Sequence, residues 1–210
     1  MYQASLIFII QNKAAQVQTL FLLPFYALSA AKGVVITMIL TGIKIAEEVE
    51  NGKITISPYN NEQLTTNTYD LTLGVDLLEY KNDVIDTKKE NEYFFHKIPE
   101  DGYFMKKGDF LLGCSDEIIG SDYYVPLIHA KSGIARLGLF VHVTADLIDI
   151  GFKGRVTFQL YATQNIILYP KQKIGQVSFW KPKGKIELYN GKYMGANLPA
   201  ASQVHKEFFK

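Results

Sequence analysis

LFVHVTADLIDIGFKGRVTFQLY, residues 139–161, is the stretch on which the fold class turns. Its two ends, Leu139–Thr144 and Arg155–Tyr161, are short runs of β-branched and aromatic residues. Such residues suit a pleated, half-buried surface. Between them Gly151 and Gly154 interrupt any regular element. The same kind of run recurs outward in both directions, at Lys53–Ile56, Tyr69–Leu73, Phe110–Gly113, Tyr123–Ile128, Ile166–Tyr169 and Gly175–Trp180. Turn-forming groups separate the runs, among them Pro58-Tyr59-Asn60-Asn61, Lys106-Lys107-Gly108-Asp109 and Tyr169-Pro170-Lys171. Short strands at this spacing predict a mainly all-β sandwich or barrel. Strands do not alternate with long helices, which argues against a doubly wound parallel sheet. Neither Gly-x-Gly-x-x-Gly nor Gly-x-x-x-x-Gly-Lys-Ser/Thr occurs, so the common phosphate loops are missing. One short helix is expected after Thr41, with Ile45 and Val49 on its inner face, Glu47, Glu48 and Glu50 exposed, and a stop at Asn51-Gly52.

A chain of 210 residues fits one domain with one core. Lys and Arg number 22 against 21 Asp and Glu, a formal net charge of +1. That balance offers no general attraction to nucleic acid or to an anionic membrane, so any phosphate binding must come from a local cluster. The single cysteine, Cys114, excludes an internal disulfide and a Cys-x-x-Cys metal site. A reducing, cytoplasmic setting fits it, and its place after Phe110-Leu111-Leu112-Gly113 reads as core. Residues 1–37 read as an extension outside the fold. Their apolar stretch Leu20–Ala31 contains Pro24 and is too short to cross a bilayer as a helix, although a targeting peptide is the alternative. The domain is expected over 38–210, beginning at Met38-Ile39-Leu40-Thr41. Asp76–Tyr103, charged at Lys88-Lys89-Glu90-Asn91-Glu92, reads as an exposed hairpin or a long loop. From about Tyr189 the tail is rich in small residues and reads as a mobile arm able to act as a lid.

Three groups of residues carry candidate chemistry. Lys131-Ser132-Gly133-Ile134-Ala135-Arg136 packs a hydroxyl and two cations into six residues. On a short helical turn Ser132 and Arg136 share one side and suit the oxygens of a di- or triphosphate; an ordinary surface turn is the plainer reading. Asp149 lies among Leu147, Ile148 and Ile150, where an apolar setting is costly for a carboxylate without partners. It could orient and deprotonate a water, or simply form a turn before Gly151. Phe152 offers a flat face for a sugar or base, or a core side chain.

Taken together, these pieces resemble a known family. Asn67-x-Tyr69-Asp70-Leu71-x-Leu73-Gly74, Lys131 to Leu139, Val141-His142-x-Thr144-Ala145, Ile148-Asp149-x-Gly151-Phe152-x-Gly154, Leu168-Tyr169-Pro170-x-Gln172-Lys173-Ile174-Gly175-Gln176 and Tyr189-x-x-Lys192-Tyr193 occur in the order and spacing of dCTP deaminases, within the superfamily shared with dUTP diphosphatases. The resemblance implies a distorted jelly roll of the dUTPase type, assembled as a homotrimer with active sites shared between subunits. It implies Mg²⁺ carried by the nucleotide triphosphate, with no protein metal site and no zinc. By similarity Lys131, Ser132 and Arg136 would meet phosphates or the catalytic water, and Asp149 and Phe152 would hold sugar and base. Gln176, Tyr189 and Lys192 would close over the nucleotide.

The chain departs from that pattern at one telling position. Where dCTP deaminases read Thr-Leu-Glu-Leu, this chain reads Thr157-Phe158-Gln159-Leu160. The family's Glu relays protons during deamination, and an amide does not ionise near neutral pH. Ser132-Gly133 matches the diphosphatase form, and Ala196 replaces a Gln of the family's lid. These departures favour hydrolysis of dUTP to dUMP and pyrophosphate, with Asp149, Ser132, Arg136 and Gln159 as the catalytic set. The alternatives are a dCTP deaminase, bifunctional or not, and an inactive nucleotide sensor.

Overall fold

The computed structural model describes residues 38–209. The expected extension over 1–37 lies outside the described residues.

Along the chain come α1 (Gly42–Glu50), β1 (Thr55–Ser57), a 3₁₀ turn (Asn61–Gln63), β2 (Tyr69–Tyr80), β3 (Tyr93–Lys97), β4 (Tyr103–Met105) and β5 (Phe110–Gly120). They are followed by β6 (Val125–Ala130), α2 (Ser132–Ala135), β7 (Leu139–Phe140), β8 (Lys153–Ala162), β9 (Ile166–Leu168), β10 (Lys173–Trp180) and a last 3₁₀ turn (Val204–Glu207). The main sheet runs β6-β10-β2-β5-β8-β7, with β1 added to β5 and β3 to β2, while β4 and β9 form a separate ribbon. All pairings are antiparallel. The sheet coils into a nearly closed, barrel-like jelly roll, the mainly β class expected.

Each of the eight runs read as strands contributes one. Along β8 Gly154, Val156, Phe158, Leu160 and Ala162 are buried while Arg155, Thr157 and Gln159 are half-buried, the period of two of a strand with one face on the core. Phe158 joins Tyr69, Phe179 and Leu71 among the fully buried residues of that core. The charged stretch after Asp76 resolves as a hairpin: β2 continues to Tyr80 and pairs with β3 from Asp76↔Lys97 to Tyr80↔Tyr93. Leu139–Thr144 is shorter as a strand than its composition suggests. Only Leu139 and Phe140 pair with β8, and the chain then peels away because Val141 and Val143 are tied to Gln159 instead.

β5 is interrupted by a bulge, its register to β8 shifting between Cys114 and Ile118. The side chains there replace the missing ladder bonds. Ser115 Oγ accepts from Val156 N at 2.9 Å and donates to the Glu117 carbonyl at 2.6 Å. The Glu117 carboxylate, 2% exposed, accepts from Gln63 Nε2 at 2.7 Å and from the Thr72 amide and hydroxyl at 3.0 and 2.8 Å. Cys114 is buried as expected, and burial pushes its thiol up to about 11, far from a reactive thiolate.

The helix α1 starts where the sequence predicts, with the Thr41 side chain accepting from Lys44 N. Glu48 corrects the expectation of an exposed acidic face, since it is 2% exposed. The reason is a pair of cations: Lys44 Nζ and Lys53 Nζ lie 2.9 and 3.2 Å from its carboxylate. Hydrogen bonding to Lys44 is the main cause holding the Glu48 carboxyl down at about 2. A carboxyl with a depressed folded pKa stabilises the fold above the ordinary range, and that contribution fades as pH falls through the folded value. Glu48→Gln is therefore expected to flatten the loss of thermal stability between pH about 4.5 and about 2. Melting curves of both proteins across that window check it; parallel curves would remove Glu48 from the acid response.

Candidate active site

The face of β8 turned away from the core and the turn before it form one wall of a pocket of about 630 Å³. The turn owes its shape to Gly151, whose φ of +92° few side chains accept. Asp149 carbonyl accepts from Phe152 N at 3.1 Å across it, and Gly151 N donates to the Ser121 carbonyl at 2.8 Å. Asp149 is thus both a turn residue and part of the pocket lining. Contrary to the sequence argument, its apolar neighbours do not bury it: the residue is exposed. Phe152 and Tyr189 face each other with ring centroids 6.2 Å apart and make an aromatic side wall.

Gln159 lines the same pocket. Its Oε1 accepts from the backbone of Val143 at 3.1 Å and of Thr144 at 3.4 Å. Two N–H donors on one atom fix which end of the amide is the oxygen, because a flipped amide would set donor against donor. Arg155 and Thr157 share the pocket face of β8 with Gln159. Sequence reading missed both, although strand parity (155, 157, 159) was available as the signal. Arg155 is committed to Asp116 at 3.2 Å and to the Ser115 carbonyl.

The C-terminal tail closes the far side. Tyr189 N donates to the Ile150 carbonyl at 2.8 Å, Gly195 N to Lys153 at 2.9 Å, and the Ala196 carbonyl accepts from Arg155 N at 2.7 Å. Ala200 N then reaches Thr157 Oγ1 at 3.1 Å, and Ser202 N reaches the Tyr80 hydroxyl at 2.8 Å. Ala196 holds the strand through backbone atoms, so the loss of a larger side chain there leaves the attachment intact. The approach is so close that a Cβ on Gly154 would sit 2.9 Å from Ala196 N and 3.0 Å from its carbonyl oxygen. Gly154→Ala is accordingly expected to lift the tail off β8, and limited proteolysis should then cut beyond Tyr189 at least ~10-fold faster, since local opening governs cleavage. An unchanged cleavage rate would mean the contact is dispensable.

The remaining candidates are gathered elsewhere. Asp70 on β2, 4% exposed, holds Lys131 Nζ at 2.7 Å, Gln176 Nε2 at 2.9 Å and Lys173 Nζ at 3.6 Å. Lys131 and Gln176 are therefore engaged with a buried carboxylate and do not line the pocket. A charged residue inside the apolar run of β2 was the available sign of this hub. Ser132 and Arg136 stand exposed on α2, anchored by the buried Ile134, and the Arg136 side chain makes no ion pair among the described residues. Lys192 is bound to Glu207 and to the Gln203 carbonyl. The Glu207 carboxylate raises its pKa. Within one chain, then, Asp149, Phe152, Gln159 and Tyr189 form one group, Lys131 and Gln176 a second, and Ser132, Arg136 and Lys192 belong to neither.

With this geometry in view, comparison with known proteins is unambiguous at the level of family. Residues 39–182 match the model of the dCTP deaminase-like family. A protein of Clostridium botulinum (strain Alaska E43 / Type E3) named dCTP deaminase, dUMP-forming, is 40% identical over 174 residues, which is 82% of this chain and 100% of that protein. A protein of Cytophaga hutchinsonii with the same name is 38% identical over 174 residues, again 82% and 100% of the two chains. A crystal structure of 2′-deoxycytidine 5′-triphosphate deaminase from Agrobacterium tumefaciens superposes with a TM-score of 0.57 at 16% identity, covering 70% of this chain and 49% of that one, which speaks to the fold alone. The nearly closed, barrel-like β fold and these matches together define a class of enzymes acting on pyrimidine deoxynucleotides. The chain belongs to the dCTP deaminase-like family.

Proposed function

We propose that this protein forms dUMP by hydrolysing the α–β phosphoanhydride of dUTP in the pocket between β8 and the C-terminal tail. The observation that carries the reading is Gln159, a neutral amide lining the pocket that the uncommitted carboxylate of Asp149 also lines. Phosphoanhydride hydrolysis needs a water aimed at the α-phosphorus and a group to take its proton, and Asp149 supplies the second. As the water oxygen bonds to that phosphorus, the bridging oxygen leaves with pyrophosphate. Deamination at C4 needs protons carried from the water to the ring and then to the departing ammonia, and Gln159 has no ionisable proton to move. Phe152 and Tyr189 supply the apolar clamp for sugar and base.

Magnesium fits this site as a passenger on the phosphates. Among the described residues no group of three or more His, Cys, Asp or Glu is placed to hold an ion, whereas the Asp149 carboxylate is open to a hydrated one. Bound that way, Mg²⁺ would offset charge on the triphosphate and polarise its oxygens. Ser132 and Arg136 lie outside the pocket lining and are exposed, so a neighbouring copy in a trimer would supply them to the phosphates. The tail would open and close as the lid, with Lys192 exchanging Glu207 for phosphate. Among the described residues no helix is long and apolar enough to cross a membrane. A free, buried Cys114 suits a reducing cytoplasm.

A second reading, dCTP deamination followed by hydrolysis to dUMP, is favoured by the names of the relatives. One incubation separates the two. Purified protein is mixed with Mg²⁺ and either dUTP or dCTP, and the products are resolved by chromatography. Pyrophosphate and dUMP from dUTP alone are expected. Equal dUMP from dCTP would give the second reading, and binding without turnover would leave a nucleotide sensor.

A further inference from the structure

Resting on that placement of the base, we infer that Gln159 selects the nucleotide, its amide NH₂ reading the C4 oxygen of uracil and rejecting the C4 amine of cytosine. The side chain is held in one orientation. Its oxygen is consumed by two backbone donors, Val143 N and Thr144 N, at 3.1 and 3.4 Å. Its Nε2 makes no hydrogen bond among the described residues, yet the residue lines the pocket. The pocket therefore receives a donor from Gln159. A glutamate in the same pose would keep one oxygen on Val143 and Thr144 and turn the other inward as an acceptor. Exchanging that inward atom from acceptor to donor reverses what the base must present at the same point. An exocyclic amine offers hydrogen to hydrogen, whereas a carbonyl offers a lone pair.

The rest of the pocket does little to blur the choice. Thr157 Oγ1 accepts from Ala200 N in the tail, and Arg155 is turned to Asp116. Phe152 and the ring of Tyr189 provide apolar surface, the Tyr189 hydroxyl being engaged by Tyr193 N at 3.1 Å. A buried donor facing a donor leaves both unsatisfied, a penalty that corresponds to ~10–100-fold in affinity. Gln159 thus serves as a specificity-determining residue as well as a block to deamination.

Calorimetric titration of the full-length protein with α,β-imido analogues of dUTP and dCTP, in Mg²⁺, tests the inference without turnover. The uracil analogue is expected to bind ~10–100-fold more tightly. Gln159→Glu is expected to reverse the order, with its backbone contacts preserved. In parallel the wild-type protein is titrated with the pyrimidin-2-one analogue, which has no C4 substituent but keeps an acceptor at N3. This ligand is expected to bind as weakly as the cytosine one. Tight binding of the pyrimidin-2-one or cytosine analogue would put the amide against N3 and overturn the inference, as would equal binding of all three. Either result would leave hydrolysis in this pocket standing; failure of every analogue to bind would overturn both.

Discussion

Asp149→Asn is expected to slow pyrophosphate release from dUTP by ~10²–10⁴-fold, the usual contribution of a positioned general base, while affinity for the uracil analogue stays within a few-fold. The substitution keeps the turn, because the turn is built from the Asp149 carbonyl and the positive φ of Gly151 and not from the carboxylate. It removes a charge that no partner among the described residues compensates, so folding should barely notice. Stopped assays of pyrophosphate beside calorimetry of the same preparation give the two quantities. Full turnover in the variant would take Asp149 out of the chemistry and return it to the role of an Asx turn. Loss of binding and rate together would mean that it holds the sugar or the hydrated metal instead.

The second large effect belongs to Asp70. Replacing it by Ala deprives Lys131, Lys173 and Gln176 of their common acceptor, and about 2–3 kcal/mol of stability should go with it, the range for hydrogen bonds to charged groups. The figure stays below that of a fully buried pair because the two lysine side chains keep 34% and 39% of their surface in water and can rehydrate. At roughly 2–4 °C per kcal/mol for a chain of this size, the drop in Tm is readily seen. A conservative Asp70→Asn retains an acceptor for one neighbour and should lose less. If phosphates are gripped by Lys131, both variants should also raise the KM for dUTP at temperatures where they remain folded. A Tm unchanged in Asp70→Ala would show that the lysines find other partners.

Much of this fold could be read from residue type alone. Runs such as Arg155–Tyr161 and Gly175–Trp180 combine β-branched and aromatic residues with alternation, and both are strands. What escaped was set by partners distant in sequence. β3 is read easily only once Tyr93-Phe94-Phe95-His96-Lys97 is seen opposite Asp76–Tyr80, since alone it is a short run behind a charged segment. Val141–Thr144 has strand composition but bends away toward Gln159, a competition between ladder and side chain that no local window contains. Glu48 looked like a solvated charge until Lys44 and Lys53 were found converging on it.

The site was legible to a similar depth. Asp149, Phe152, Gln159 and Tyr189 were named from motif positions, and the fold brings all four to one pocket. Lys131 and Gln176 were named as well, but their shared tether to Asp70 depends on β6, β10 and β2 being neighbours in the sheet. Arg155 and Thr157 belong to no motif of their own, and only the alternation of β8 ties them to Gln159 on one face of the pocket.

The tail also bears on the integrity of the barrel. On the side away from β5, the first residues of β8 find their partners in Gly195 and Ala196, so the segment that covers the pocket also finishes the sheet. An exit of product that required this segment to swing out would uncover an extended backbone with free amides, the kind of border that invites pairing with another chain. Discharging a product and keeping the molecule from self-association are thereby drawn into one motion, and each cycle would have to reseal the border before a second molecule reached it.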